Sequence, residues 1–388
     1  MKRLSSSARA DWRGALRRYG YGAEAAPAAC HWNESAYYSF SAPEIDQIEE
    51  AANTLHGLIL EAVRRVVEQR LYGLMGLPPA GNRLVGESWN AFGGQGQANP
   101  RHGVLCGRLD LACDGHGGIK LLSCQYDAPD SLFEAAVVQW NWLETTHPDA
   151  DQFNGLHEGL VERFQELGRG QRGRETLHLA CATPDPGREG ELHYLAALAE
   201  EAGLATRIVP LQEIGWDGRC FRDADDTPMT WLYKHYPWEA LVQDAYASHL
   251  PAAGMAVLEP AWTLVASNHG LLAQLWELYP EHPYLTPASY SESDLPRNRP
   301  VARRALLGLD RASLRLTHQG QTLFATESNV QPGGFVYQSW PELFCQRGTT
   351  AVIQAWMVGE RCLGMTVRES PEPVVEADAA LVPHLFAA

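Results

Sequence analysis

Apolar side chains at Ile45, Ile48, Leu55, Leu58, Ile59, Ala62, Val63, Val66 and Val67 recur every three or four positions, the period of one face of a helix. They predict a long amphipathic helix running to about Leu74. Ser41-Ala42-Pro43-Glu44 marks its start, with serine as the cap and proline and glutamate in the first turn. Leu77-Pro78-Pro79 ends it. The period then changes. From Gly107 to Leu132 the alternation predicts two strands, Arg108–Ala112 and Ile119–Cys124, joined by the glycine-rich turn Cys113–Gly118. Leu132–Glu144 reads as a buried helix dense in Trp and Ala, and Gln152–Leu167 as another helix.

A second unit starts near Arg174. Thr176–Ala182 reads as a strand, Glu189–Ala202 as a helix and Ala205–Pro210 as a strand, the order of a parallel crossover unit of Rossmann type. Its loop, Pro184-Asp185-Pro186-Gly187, lacks the glycine spacing of a dinucleotide fingerprint. Thr230–Tyr233 predicts a further strand ending in Lys234-His235-Tyr236-Pro237-Trp238-Glu239, followed by a helix to His249. After a helix at Gly270–Leu278, the segments 298–316, 322–327, 336–339, 349–358 and 361–368 predict an antiparallel sheet, with Gly359-Glu360 turning its last hairpin. Gly93-Gly94-Gln95-Gly96-Gln97 lacks the Lys-Ser/Thr ending of a phosphate loop, so the region 86–103 reads as a loop.

Composition narrows the class. The chain has 388 residues, 45% hydrophobic and 20% charged, with a net charge of −16. Such a field disfavours nucleic acid and anionic membrane as partners and suits a cationic one such as a polyamine. The eight cysteines form no CxxC pair, so neither a zinc ribbon nor a disulfide framework is expected. The basic N-terminus has no apolar signal core and no long apolar run exists. A cytoplasmic protein is the expectation.

Candidate chemistry gathers at the central hairpin. Arg108 and Asp110 are two apart on a strand and share one face. The second strand runs into the polar loop 123–127, followed by Asp130 and Ser131. Two readings stand: a salt-bridged surface hairpin, or a ligand-facing rim for anion and metal chemistry. His31, His56, His157 and His249 are isolated and read as structural. Cys124 reads as a buried thiol.

Several stretches in order carry a resemblance: RLDLACDG, EAAVVQWNWLE, DQFN, YKHYPWE, LEPAW with SN, and LWELYPEHPYL. The chain resembles the synthetase part of glutathionylspermidine synthase, over about residues 11–386. That resemblance implies a mixed α/β chain: an ATP-grasp fold with a Rossmann-like pre-ATP-grasp unit. It divides into an N-terminal part with the hairpin (1–170), the Rossmann-like unit (171–255) and the ATP-grasp-like part (256–388). It also implies ATP and Mg²⁺ as cofactors and amide formation between a peptide carboxylate and an amine. By the family's motifs, Arg108 is the catalytic cation. Asp110, Ser123 and Gln125 hold the metal positions, and Asp127 and Ser131 the substrate positions. His269, Arg303, Gln338 and Arg368 fall at nucleotide-side positions.

Departures fall on the ATP·Mg²⁺ half. The family's Glu-x-Asn-Ala-Asp loop has Ser123 and Gln125 at its Glu and Asn positions, although magnesium favours anionic oxygens in near-ideal octahedral geometry. A lysine after Ser-Asn is His269, which is neutral at pH 7 by default. In the family's Val-x-Lys-Pro strand Arg303 keeps a charge in a different geometry. The phosphate-covering loop is Leu307–Ser313, and the family's Ile-Gly-Ser-Trp is Ile353-Gln354-Ala355-Trp356. The expectation is a ligase-family protein with impaired ATP chemistry. The alternatives are an active ligase with Asp127, Asp130 or Glu369 as substitute carboxylates, and a binding subunit that pairs with a paralogous protein or senses a peptide or polyamine-like amine.

Overall fold

A computed structural model describes residues 1–12, 14, 32–93, 102–169, 175–308, 314–326 and 333–387. The glycine-rich stretch 94–97, His31 and the loop residues 309–313 lie outside the described residues.

The predicted long helix is Ala42–Glu68. Ser41 and Glu44 close a reciprocal capping box at its start, which satisfies amides that the first turn leaves without partners. Leu55, Ile59, Val63 and Val66 are fully buried, each gaining roughly 1.5–3 kcal/mol over exposure. The expected loop over 86–103 is corrected in its first part. Pro79–Phe92 is a helix because proline at the first helical position presets φ and has no amide to leave unpaired.

The hairpin strands are Cys106–Cys113 and Ile119–Gln125, and they do not form a surface hairpin. They lie in a six-stranded sheet ordered Ala380–Val382, Arg361–Ser370, Thr349–Val358, Cys106–Cys113, Ile119–Gln125, with Phe344–Gln346 pairing on Thr349–Val358. Strands from both ends of the chain thus share one sheet. One face, including Leu109, Leu111, Ile353 and Ala355, packs into the core with the long helix. The opposite face carries Arg108, Asp110 and Gln354 and is left open to a cleft. Gly107 is required beside it, since a Cβ there would lie 2.3 Å from the Tyr126 ring.

The crossover unit forms as expected, with strands Thr176–Cys181 and Ala205–Pro210 parallel and helix Pro186–Glu201 between them. Trp231–His235 and Ala256–Leu258 extend this parallel sheet. The helix expected up to His249 is instead one α turn, Trp238–Leu241, and a 3-10 segment, Ala245–Ala252. Pro251 inside that stretch removes a helical donor. A five-stranded antiparallel sheet contains Ala288–Ser289, Phe335–Ser339, Val301–Ala305, Leu314–His318 and Gln321–Ala325. Ala302 and Leu316 from it pack with Ala112, Leu122 and Val352 of the six-stranded sheet. Among the described residues, no helix is long and apolar enough to cross a membrane.

Candidate active site

A cavity of about 520 Å³ lies between the open face of the six-stranded sheet, the strand Val301–Ala305 and the start of helix Pro186–Glu201. Arg108, Asp110, Ser123, Gln125, Ser131, His269 and Arg368 all line it. Seven of the residues expected from the sequence are therefore brought together.

Three side chains form a row across neighbouring strands. Ser123 and Gln354 both stand opposite Asp110. Ser123 Oγ donates to Asp110 Oδ2 at 2.7 Å, while Gln354 Nε2 and Arg108 Nε each donate to Oδ1 at 3.1 Å. Desolvation would raise the Asp110 pKa, but Arg108, Ser123 and Gln354 together hold it below the usual carboxylate range. Gln354 also accepts from Arg368 Nε at 3.0 Å, and Arg368 Nη2 donates to Ser131 Oγ at 2.8 Å. Ser131 has a φ of +78°, a strained conformation for a residue with a Cβ, of a kind that clusters at functional sites.

Other expected residues are placed elsewhere. Asp127 is fully buried. It accepts from Lys234 Nζ and the Trp238 amide, so it pins the loop to the parallel sheet and is absent from the cavity wall. Gln338 is buried, with Nε2 donating to Leu121 O at 2.9 Å and Thr286 Oγ1 at 3.1 Å. Arg303 lies against the Phe335 ring, 4.4 Å from its centroid. Its neighbour Arg304 reaches the cavity instead, because successive strand residues face opposite sides. Of the substitute carboxylates only Asp130 lines the cavity. Glu369 is bound to Arg3 and to Tyr38 OH. Cys124 is buried, and burial pushes its thiol up to about 12.

Arg304 is the cation that the motif comparison missed. Its Nη1 donates to Leu122 O at 2.8 Å, its guanidinium lies 5.3 Å from the Trp340 ring centroid, and its Nε has no partner among the described residues. Burial lowers its pKa to about 10, with Asp110 opposing that shift, so it stays charged at neutral pH. The available signal was Ala302, a small apolar residue two positions earlier on the same face. His269 Nδ1–H donates to Ala305 O at 2.8 Å. Burial, with Arg304 nearby, lowers its pKa to about 4, so the imidazole is neutral.

A second charged group lines the far side. His235 ends a parallel strand, and Glu191 and Arg188 lie on the helix that starts at Pro186. Sites at the carboxyl ends of parallel strands are a general feature of such sheets; that position was the signal for His235.

A family model described as glutathionylspermidine synthase preATP-grasp matches residues 3–387. The chain belongs to that family. Membership supports an ATP-dependent amide ligase. The chain is similar to a putative acid–amine ligase of Haemophilus influenzae, 34% identical over 369 residues that cover 92% of this chain and 91% of that one. A bifunctional glutathionylspermidine synthetase/amidase of Escherichia coli is 24% identical over 384 residues, covering 89% of this chain but only 58% of the enzyme. A glutathione synthetase-like effector from Globodera pallida superposes with a TM-score of 0.57 at 9% identity, covering 90% of this chain and 89% of that one. That likeness shows the fold, which is the mixed α/β architecture expected from the sequence.

The family implies ATP and Mg²⁺, and the residues present fit them unequally. Arg304, a charged guanidinium in the cavity wall whose buried Nε has no partner among the described residues, fits a phosphate group. At Asp110 the donor set does not fit magnesium. Both oxygens of Asp110 are engaged within the protein. Among the described residues, no three His, Cys, Asp or Glu side chains converge as a metal site.

Proposed function

We propose that this protein binds the two reactants of its family, a peptide-like carboxylate and a cationic amine, in one cavity, and that it is weak or inactive as an ATP-dependent ligase. The observation that carries the reading is the row Ser123–Asp110–Gln354, in which a neutral hydroxyl and a neutral amide fill the coordination space of the carboxylate. Arg108 and Arg368 give the carboxylate reactant its cationic end. Asp185 and Asp378 give the amine an acidic one. Loss of a metal-bridging carboxylate removes charge stabilisation worth several kcal/mol at the transferring phosphoryl group.

The test is a titration with ATP and Mg²⁺ followed by an assay for ADP in the presence of glutathione and spermidine. The reading expects spermidine binding without amine-dependent ADP release. Amine-dependent ADP release overturns it. A second reading, an active ligase with a rearranged metal site, is favoured by Glu134 and Glu376, which line the same cavity. It predicts that ADP release requires Mg²⁺ and stops in Glu376→Gln.

A further inference from the structure

His235 is 1% exposed, and its two ring nitrogens are met by carboxylates at ion-pair distance rather than by close, well-aligned hydrogen bonds. A buried imidazole in that state is costly unless something else meets it. Carboxylates stand on both sides: Glu191 Oε1 is 3.5 Å from Nδ1, and Asp130 Oδ1 is 3.5 Å from Nε2. All three groups line the cavity. We propose that His235 is the proton acceptor for the ammonium group of the amine reactant, with Glu191 behind it as the group that orients the ring. This rests on the amine-binding reading above.

The surroundings select His235 over its neighbours. From helix Pro186–Glu201 it faces Glu191 and Arg188, and from the segment after the hairpin it faces Asp130, with Glu134 beyond; Tyr233 lies on its own strand. Burial lowers the His235 pKa, but Glu191 and Asp130 outweigh it and the net direction is upward. Burial raises Glu191 to about 7 against the pull of His235. Asp130, where His235 and Arg188 outweigh desolvation, is held down to about 2 and is too weak a base. His269, at about 4, is too weak as well. A base is most effective when its pKa lies near working pH.

The proton balance is simple. An amine enters as R–NH₃⁺, one N–H bond breaks, the proton moves to the His235 ring, and R–NH₂ remains with its lone pair free. An imidazole that is already protonated must first release that proton to solvent. Calorimetry of the full chain with spermidine, at pH 6 and pH 8 in buffers of different ionisation enthalpy, counts the protons, and the ¹⁵N shifts of the His235 ring at pH 8 show whether it becomes imidazolium when spermidine binds, a ring that stays neutral overturning the inference. The expected result is release of about one proton per amine at pH 6 and little at pH 8, with affinity weakening about tenfold per pH unit below the His235 pKa. His235→Asn abolishes the release. Glu191→Gln, a milder change, lowers the His235 pKa and moves the release to lower pH. Spermidine binding without proton release, or release unchanged in both variants, overturns the inference alone. No spermidine binding at either pH removes the amine reading and this inference together.

Discussion

Ser123 and Asp110 stand opposite each other on neighbouring strands, and the Ser123 hydroxyl donates to Asp110 Oδ2 at 2.7 Å. A glutamate at this position would bring a second carboxylate to Asp110. Like charges so close raise one pKa unless a cation intervenes. Serine removes that repulsion, and so the part of the demand for a metal that a second carboxylate would add.

Restoring the family's residues should restore that demand. The triple variant Ser123→Glu, Gln125→Asn, Gln354→Gly is expected to be less stable than the parent without metal and to gain about 1.4 kcal/mol at Mg²⁺ ten times its Kd. Thermal unfolding with and without Mg²⁺ measures this. An equal Mg²⁺-dependent rise in the parent protein would sink the account of Asp110.

Arg304 and Arg303 should separate cleanly. A hydrogen bond to a charged group is worth about 1.5–3 kcal/mol, so Arg304→Ala should weaken nucleotide binding about tenfold or more. Arg303→Ala should change it little, because that side chain lies on Phe335. Nucleotide titration of both variants decides, and EDTA should leave the parent's affinity unchanged.

The Lys234–Asp127 pair is a structural latch. Both side chains are fully buried, and removing one partner strands the other charge. Lys234→Met should cost about 3–5 kcal/mol, read as a fall in the denaturant midpoint, whereas a surface change such as Arg361→Ala should cost well under 1 kcal/mol.

Stability should also fall as pH rises across neutrality. Glu191 goes from an ordinary 4.5 up to about 7 in the folded protein, and His235 is raised above 6.5. Groups raised on folding contribute fully below their unfolded pKa and lose that contribution as pH climbs through the folded one. These two therefore make Tm decline between about pH 5 and pH 8. Glu191→Gln should flatten that slope, and an unchanged slope would argue against the pairing with His235.

Much of this protein is legible in the chain alone, because local periodicity and capping are short-range. The helix Ala42–Glu68, the hairpin, the parallel crossover and the C-terminal strands follow from spacing and from residues such as Ser41, Pro43 and Gly359. The motifs around Arg108 pointed to residues that line one cavity. What tertiary structure decided were matters of facing and pairing across long separations. Pleating sends Arg304, and not Arg303, into the cavity. Burial turns Asp127 from a rim residue into the anchor of Lys234. Strand register brings Gln354 onto Asp110 from 244 residues away, and the end of a parallel strand sets His235 between Glu191 and Asp130. No sequence period encodes these contacts, since each depends on which faces meet when distant strands share a sheet.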